Sequence, residues 1–193
     1  MRFLAKTGFG LLGLIALQGA AWAADPYGTL PSQSVRYRPF ELRLGVYAHD
    51  PVSPEKGSVD LNGEVLFDAF GPRDRSRLGG ILVPRLHAGA TINMGGRTSQ
   101  GYAGLTWTWD VTPRIFLEAG FGGAFHNGNT QLVAPAARNA MGCNWGFHEQ
   151  GTLGYRITDA WSVMLTVEHT SNSGICKQNR GLTNVGMRVG YSF

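Results

Sequence analysis

Along most of this chain apolar side chains return at every second position. The clearest run is Trp161, Val163, Leu165 and Val167, which alternate with Ser162, Met164, Thr166 and Glu168. The final run places Val185, Met187, Val189, Tyr191 and Phe193 against Asn184, Gly186, Arg188, Gly190 and Ser192. A period of two describes a strand with two unlike faces. Upstream, Leu42, Leu44, Val46 and Ala48 oppose Glu41, Arg43, Gly45, Tyr47 and His49, and Val59, Leu61, Val65 and Phe67 oppose Asp60, Asn62, Glu64 and Asp68. The same alternation predicts strands over 86–92, 103–109, 115–121 and 145–157. With the two terminal runs this gives about eight strands, an even number suited to the smallest antiparallel transmembrane β-barrels of the outer-membrane type.

Which face points inward decides the class. Glu41, Arg43, Asp60, Glu64, Arg85, Glu118, Arg156 and Arg188 recur on the polar face. In a soluble barrel or sandwich that face would meet water. In a membrane barrel it fills the lumen and the apolar face meets lipid. Three features favour the membrane arrangement: an aromatic residue, Phe193, closing an alternating strand, many of the 28 glycines lying on the charged face where a narrow lumen needs room, and aromatics near strand ends. Glu118 and Arg85 are expected in a network of paired lumen charges.

At the amino end Arg2 and Lys6 precede an apolar run from Phe9 to Leu17 and then Ala21-Trp22-Ala23. This pattern reads as a secretory signal over residues 1–23, cleaved after Ala23, leaving a barrel domain over 24–193. Cleavage removes two basic residues and no acid, which lowers the formal charge from +4 to +2. So small a charge does not argue for nucleic acid as a partner. The links over 110–114 and 158–160 read as short periplasmic turns, and 126–142 and 173–181 as longer outer loops. Residues 71–80 are long for a periplasmic turn and read as a solvated loop.

Two cysteines occur, Cys143 and Cys176. A turn centred on Asp159 brings them close together at the outer mouth of the hairpin formed by the sixth and seventh strands, so a disulfide is expected in an oxidising compartment. No metal site is expected, because His49, His87, His126 and His148 lie scattered over different strands.

Strand parity also carries the chemistry. His169 and Ser171 continue the face of Val163, Leu165 and Val167, a place where a soluble protein seldom puts them. Residues i and i+2 on one strand face start roughly 6.5–7 Å apart, a gap that an imidazole can close to a hydroxyl. The two can thus form a base and a nucleophile, with Asn172 and main-chain N–H groups around Ser173 and Gly174 as oxyanion donors. H-x-S alone is a common triplet, and a polar pair at the membrane interface is the plainer reading of it. Lys177 and Arg180, just beyond, are candidates to hold substrate phosphates.

The segment Glu168-His169-Thr170-Ser171-Asn172-Ser173-Gly174, then Asn179-Arg180-Gly181, then Gly190-Tyr191-Ser192-Phe193 resembles the end of the PagL family, the outer-membrane lipid A 3-O-deacylases. The resemblance implies an eight-stranded barrel in the Gram-negative outer membrane. Its catalytic residues would lie on the outer surface, facing lipid A of lipopolysaccharide in the outer leaflet. Ser171 would be the nucleophile, His169 the base and Asn172 an oxyanion donor, with no cofactor. One departure matters. The family places a glutamate two residues after the spacer glycine to orient the histidine, and here Thr183 stands there. Pairing about Asp159 sets Glu149 opposite His169 on the same face, which makes Glu149 the candidate substitute acid. Two other classes stay open: a catalytically silent barrel of the same family serving as a structural or surface protein, and a barrel with transport or ligand duties in its lumen.

Overall fold

The computed structural model describes residues 37–71 and 82–193. The signal segment and most of the 71–80 link lie outside the described residues. Eight strands follow in order: β1 (Phe40–His49), β2 (Ser58–Phe67), β3 (Arg85–Asn93), β4 (Gln100–Asp110), β5 (Ile115–His126), β6 (Trp145–Arg156), β7 (Trp161–Ser171) and β8 (Leu182–Ser192). Each pairs antiparallel with the next, and β8 returns to β1 from Glu41↔Ser192 to Ala48↔Val185, closing the barrel. Past the last strand, the main chains of Phe193 and Phe40 exchange hydrogen bonds in both directions at 2.9 and 3.4 Å. The closing residue therefore joins the seam.

Alternation sorts the two faces as a membrane barrel requires. The apolar side chains point out, with Leu44 61% exposed, Leu165 51% and Met187 66%. The charged ones are buried inside: Arg43, Glu64, Glu118 and Arg188 are each less than 5% exposed. Arg43 grips Glu118 through two parallel hydrogen bonds of 2.7 and 2.9 Å, and Arg85 adds a third at 3.0 Å. Arg188 bonds Glu64 at 2.6 Å and Gln150 at 2.6 Å. A buried charge is tolerable only when paired in this way. The lumen is packed rather than open, and glycine provides the space. At Gly186 any Cβ would collide with the Tyr47 ring, so the absence of a side chain there lets tyrosine cross the lumen.

The polarity of the loops follows. The links over 111–114 and 157–160 are tight turns, whereas 127–144 and 172–181 are long and fold over the opposite rim. Aromatic rings gather at the tight-turn end, where Phe40 stacks with Phe67 at 4.8 Å and Trp161 meets Tyr191 at 4.7 Å. Rings at that level match the girdle at a membrane interface.

Candidate active site

His169 and Ser171 end β7 on its outward face, half-buried, at the rim that carries the long loops. Their parity is set by the strand itself, because Glu168 and Thr170 between them are buried in the lumen. Register supplies the neighbours. His169 pairs with Glu149 on β6 and with Thr183 on β8, while Ser171 pairs with Phe147. The imidazole is thus flanked by a carboxylate on one side and a hydroxyl on the other.

Of these two, Thr183 makes the contact. Its Oγ1 lies 2.8 Å from His169 Nδ1. Glu149, exposed, has no hydrogen bond to the ring among the described residues. The hydroxyl orients the ring, and in the tautomer that carries its proton on Nδ1 it accepts that proton and leaves Nε2 free to act as a base. Gly181 closes the other edge. Its φ of +73° is the left-handed conformation that suits glycine, and a Cβ there would come within 2.9 Å of His169 Cε1. Thr183 and Gly181 together form a slot for the ring. No hydrogen bond joins His169 to Ser171 among the described residues, and apo sites commonly hold such pairs apart until substrate draws them together.

Asn172 does something other than expected. The strand ends at Ser171, Ser173 turns the chain at φ +53°, and Asn172 is buried, 1% exposed, beneath the β7–β8 loop. Its Nδ2 donates to the carbonyls of Met141 and Gln178, both at 2.7 Å, and its Oδ1 accepts from the N–H groups of Gly174 and Cys176. Both amide hydrogens are therefore committed, and none is left for an oxyanion. The residue scaffolds the loop. Gly174 N–H is likewise taken, whereas Ser173 N–H has no acceptor among the described residues. Lys177 and Arg180 stand exposed on this loop, with no side-chain hydrogen bond among the described residues.

Cys143 and Cys176 form a disulfide with a Cα–Cα distance of 6.1 Å. It ties the β5–β6 loop to the β7–β8 loop, directly beyond Ser171. The loops are further held by Glu55, whose carboxylate accepts from Thr98 N–H and Oγ1–H and from Asn139 N–H at 2.8–3.0 Å. Burial pushes the Glu55 carboxyl up, but hydrogen bonds from His49, Asn139 and Thr98 outweigh it and hold it down at about 2.

The outer surface beside Ser171 is grooved. The row Ser171, Phe147, Gly123, Ala103 runs across β7, β6, β5 and β4 in direct register. The groove is an open, largely apolar depression of about 490 Å³ on β4–β6, with Gly101, Ala103, Gly123 and Gly146 as its floor and Phe125 and Trp145 at its side, adjoining Ser171 rather than including it. The signal for Thr183 as the ring's partner and for this row is strand register, through the β7–β8, β5–β6 and β4–β5 pairings.

Comparison with known proteins agrees with the fold. Residues 98–192 match the model of the lipid A 3-O-deacylase (PagL) family. The chain is similar in fold to the crystal structure of the outer membrane enzyme PagL, at 16% identity and a TM-score of 0.61, covering 79% of this chain and 99% of that one. It is also similar to the N-terminal β-barrel domain of Pseudomonas aeruginosa OprF, at 12% identity and 0.53, covering 81% and 98%. A de novo designed transmembrane β-barrel matches at 14% identity and 0.52, covering 80% and 95%. No curated protein matches the chain by sequence.

Proposed function

We propose that this chain, which belongs to the lipid A 3-O-deacylase (PagL) family, is an outer-membrane esterase that removes the ester-linked 3-hydroxyacyl chain from lipid A. The observation that carries the reading is the placement of an imidazole, oriented by Thr183 at Nδ1, and a hydroxyl two residues apart on the lipid-facing wall, beside the outer loops. His169 Nε2 takes the proton of Ser171 as its oxygen attacks the ester carbonyl. Ser173 N–H is the available donor to the resulting oxyanion. Collapse expels the sugar hydroxyl, protonated by His169, and leaves an acyl-serine; water, activated by the same imidazole, then releases the fatty acid. No cofactor enters these steps. The small-residue groove beside Ser171 suits the departing acyl chain, and Lys177 and Arg180 are positioned on the loop to meet phosphates.

In a serine hydrolase triad the acid both orients the imidazole and stabilises the imidazolium that forms. Here those two duties divide. Thr183 orients the ring through Nδ1, and Glu149, its register partner on the other flank, supplies the negative charge. An ionised carboxylate on a lipid-facing wall is costly without such a purpose.

Mass spectrometry of lipid A from cells with and without the protein is the test. Loss of one hydroxyacyl group that disappears with Ser171→Ala, a drop of roughly a thousandfold or more in turnover, is the expected result. Thr183 in place of an acid favours one competing reading, a silent barrel of the same family. Unchanged lipid A under good expression would establish that reading instead.

A further inference from the structure

Beneath the slot that holds His169, on the side of β8 away from the imidazole, lies a carboxylate that the ester-cleaving steps do not use. Asp50 follows the last residue of β1, is 3% exposed, and adopts φ +40°, a left-handed conformation uncommon outside glycine. The β1–β8 ladder stops at Ala48↔Val185, so the N–H of Thr183 has no main-chain partner on the β1 side. Asp50 Oδ1 accepts it at 3.2 Å, and Asp50 N–H in turn donates to Asn184 Oδ1 at 3.1 Å. The carboxylate thus extends the ladder where the strand has already turned away.

Its second oxygen reaches the loops. Asp50 Oδ2 accepts from Asn139 Nδ2, and the same Nδ2 donates to the carbonyl of Gly181 at 3.0 Å. Asn139 is fully buried, and its own N–H is held by Glu55. Thr183, which bonds His169 Nδ1, and Gly181, whose lack of a side chain leaves room for the ring at Cε1, are therefore both anchored from behind by one Asp50–Asn139 unit. On the β7 side this end of β8 is held by the His169↔Thr183 and Thr170↔Leu182 pairs, and on the β1 side, past the end of that ladder, it is held by Asp50.

We propose that Asp50 is a positioning residue for His169, acting through Thr183 and Gly181, and that Asn139 carries this support from the β5–β6 loop to the site. Docking of that loop and correct orientation of the base become one event. The proposal rests on the reading of His169 as the base for Ser171, and it adds a residue to that site that never touches substrate.

The experiment uses the full barrel refolded in detergent micelles with lipid A as substrate, comparing Asp50→Ala and Asn139→Ala with wild type. Expected is a fall of about tenfold or more in kcat with KM within twofold. The barrel should keep its heat-modifiable gel shift, and the ¹⁵N signal of His169 Nδ1 should move away from its wild-type, hydrogen-bonded value. Turnover within twofold of wild type in both variants overturns the proposal. So does lost turnover with an unmoved Nδ1 signal, which marks a role in stability alone. Should Asp50→Ala not fold, Asn139→Ala, which changes only a loop residue, decides the matter by the same two readouts. Ser171→Ala is the separate control. If wild type shows no Ser171-dependent turnover, the esterase reading fails, while the ring signal still tells whether Asp50 orients His169.

Discussion

His169 is an imidazole whose Nδ1 is served by a hydroxyl, with the nearest carboxylate in register kept to its other flank. A threonine can hold a tautomer but adds no charge when the imidazolium forms. Thr183→Glu should therefore raise kcat, by about tenfold or more, and Thr183→Val should lower it, both read by deacylation assays on purified lipid A. Glu149→Gln should cost about tenfold, because it removes the charge proposed to stabilise the imidazolium as it forms. An unchanged rate in that variant, alongside a dead Ser171→Ala, would leave Glu149 no part in the chemistry. Parity alone announced that His169 and Ser171 face outward, because a strand fixes every second side chain. The same logic failed one residue later. Asn172 lies past the end of β7, where the chain turns at Ser173, and alternation says nothing about a side chain folded into a loop.

At the level of elements, the outer loops are fastened by a covalent tie and by a carboxylate. The Cys143–Cys176 bridge spans 33 residues, which on chain-entropy grounds stabilises the closed loops by roughly 3–4 kcal/mol. Cys176→Ser should accordingly leave the barrel folded yet speed proteolytic cutting of the 127–144 loop. The carboxylate is Glu55, faced by His49 at 3.1 Å, by Arg138 at 3.8 Å and by the N–H groups of Thr98 and Asn139. A carboxyl held at about 2 against an ordinary 4.5 contributes stability that is fully present above 4.5 and is lost as pH falls toward 2. Hydrogen exchange of the loop amides should accordingly show opening that sets in below about pH 4.5 and is complete near 2, and Glu55→Gln should abolish that dependence. The β6–β7 register was readable in advance, since a short turn at Asp159 leaves few pairings and the observed Glu149↔His169 pair is the one it dictates. The folding of the long loops was not readable. Their order comes from single polar side chains such as Glu55, Asn139 and Asn172, whose partners lie far away in sequence.

For the molecule as a whole, the ordering principle is inversion: paired charges within, hydrocarbon side chains without. Glu118 pairs with both Arg43 and Arg85 in the buried lumen network. Glu118→Ala would leave Arg43 with Glu41 and Glu64 and Arg85 with Glu41, but with several guanidinium donors unpaired, and should destabilise the barrel by about 1–3 kcal/mol, measurable as a lower temperature for loss of the compact gel band. Strand count, order and closure were legible because alternation, glycine spacing and short turns all agree on one architecture. Alternation by itself leaves the two faces unoriented; Phe193 closing the last strand, the glycines on the charged face and the aromatics near strand ends pointed the charges inward, where the structure buries them. Because the hydroxyl and imidazole sit on the outer wall, encounter with substrate is a search within a sheet rather than through a volume. Turnover should then scale with surface density of lipid, so that diluting it with inert detergent slows the reaction even at constant total concentration. The freed fatty acid would drift sideways into the same leaflet, with no channel to leave by.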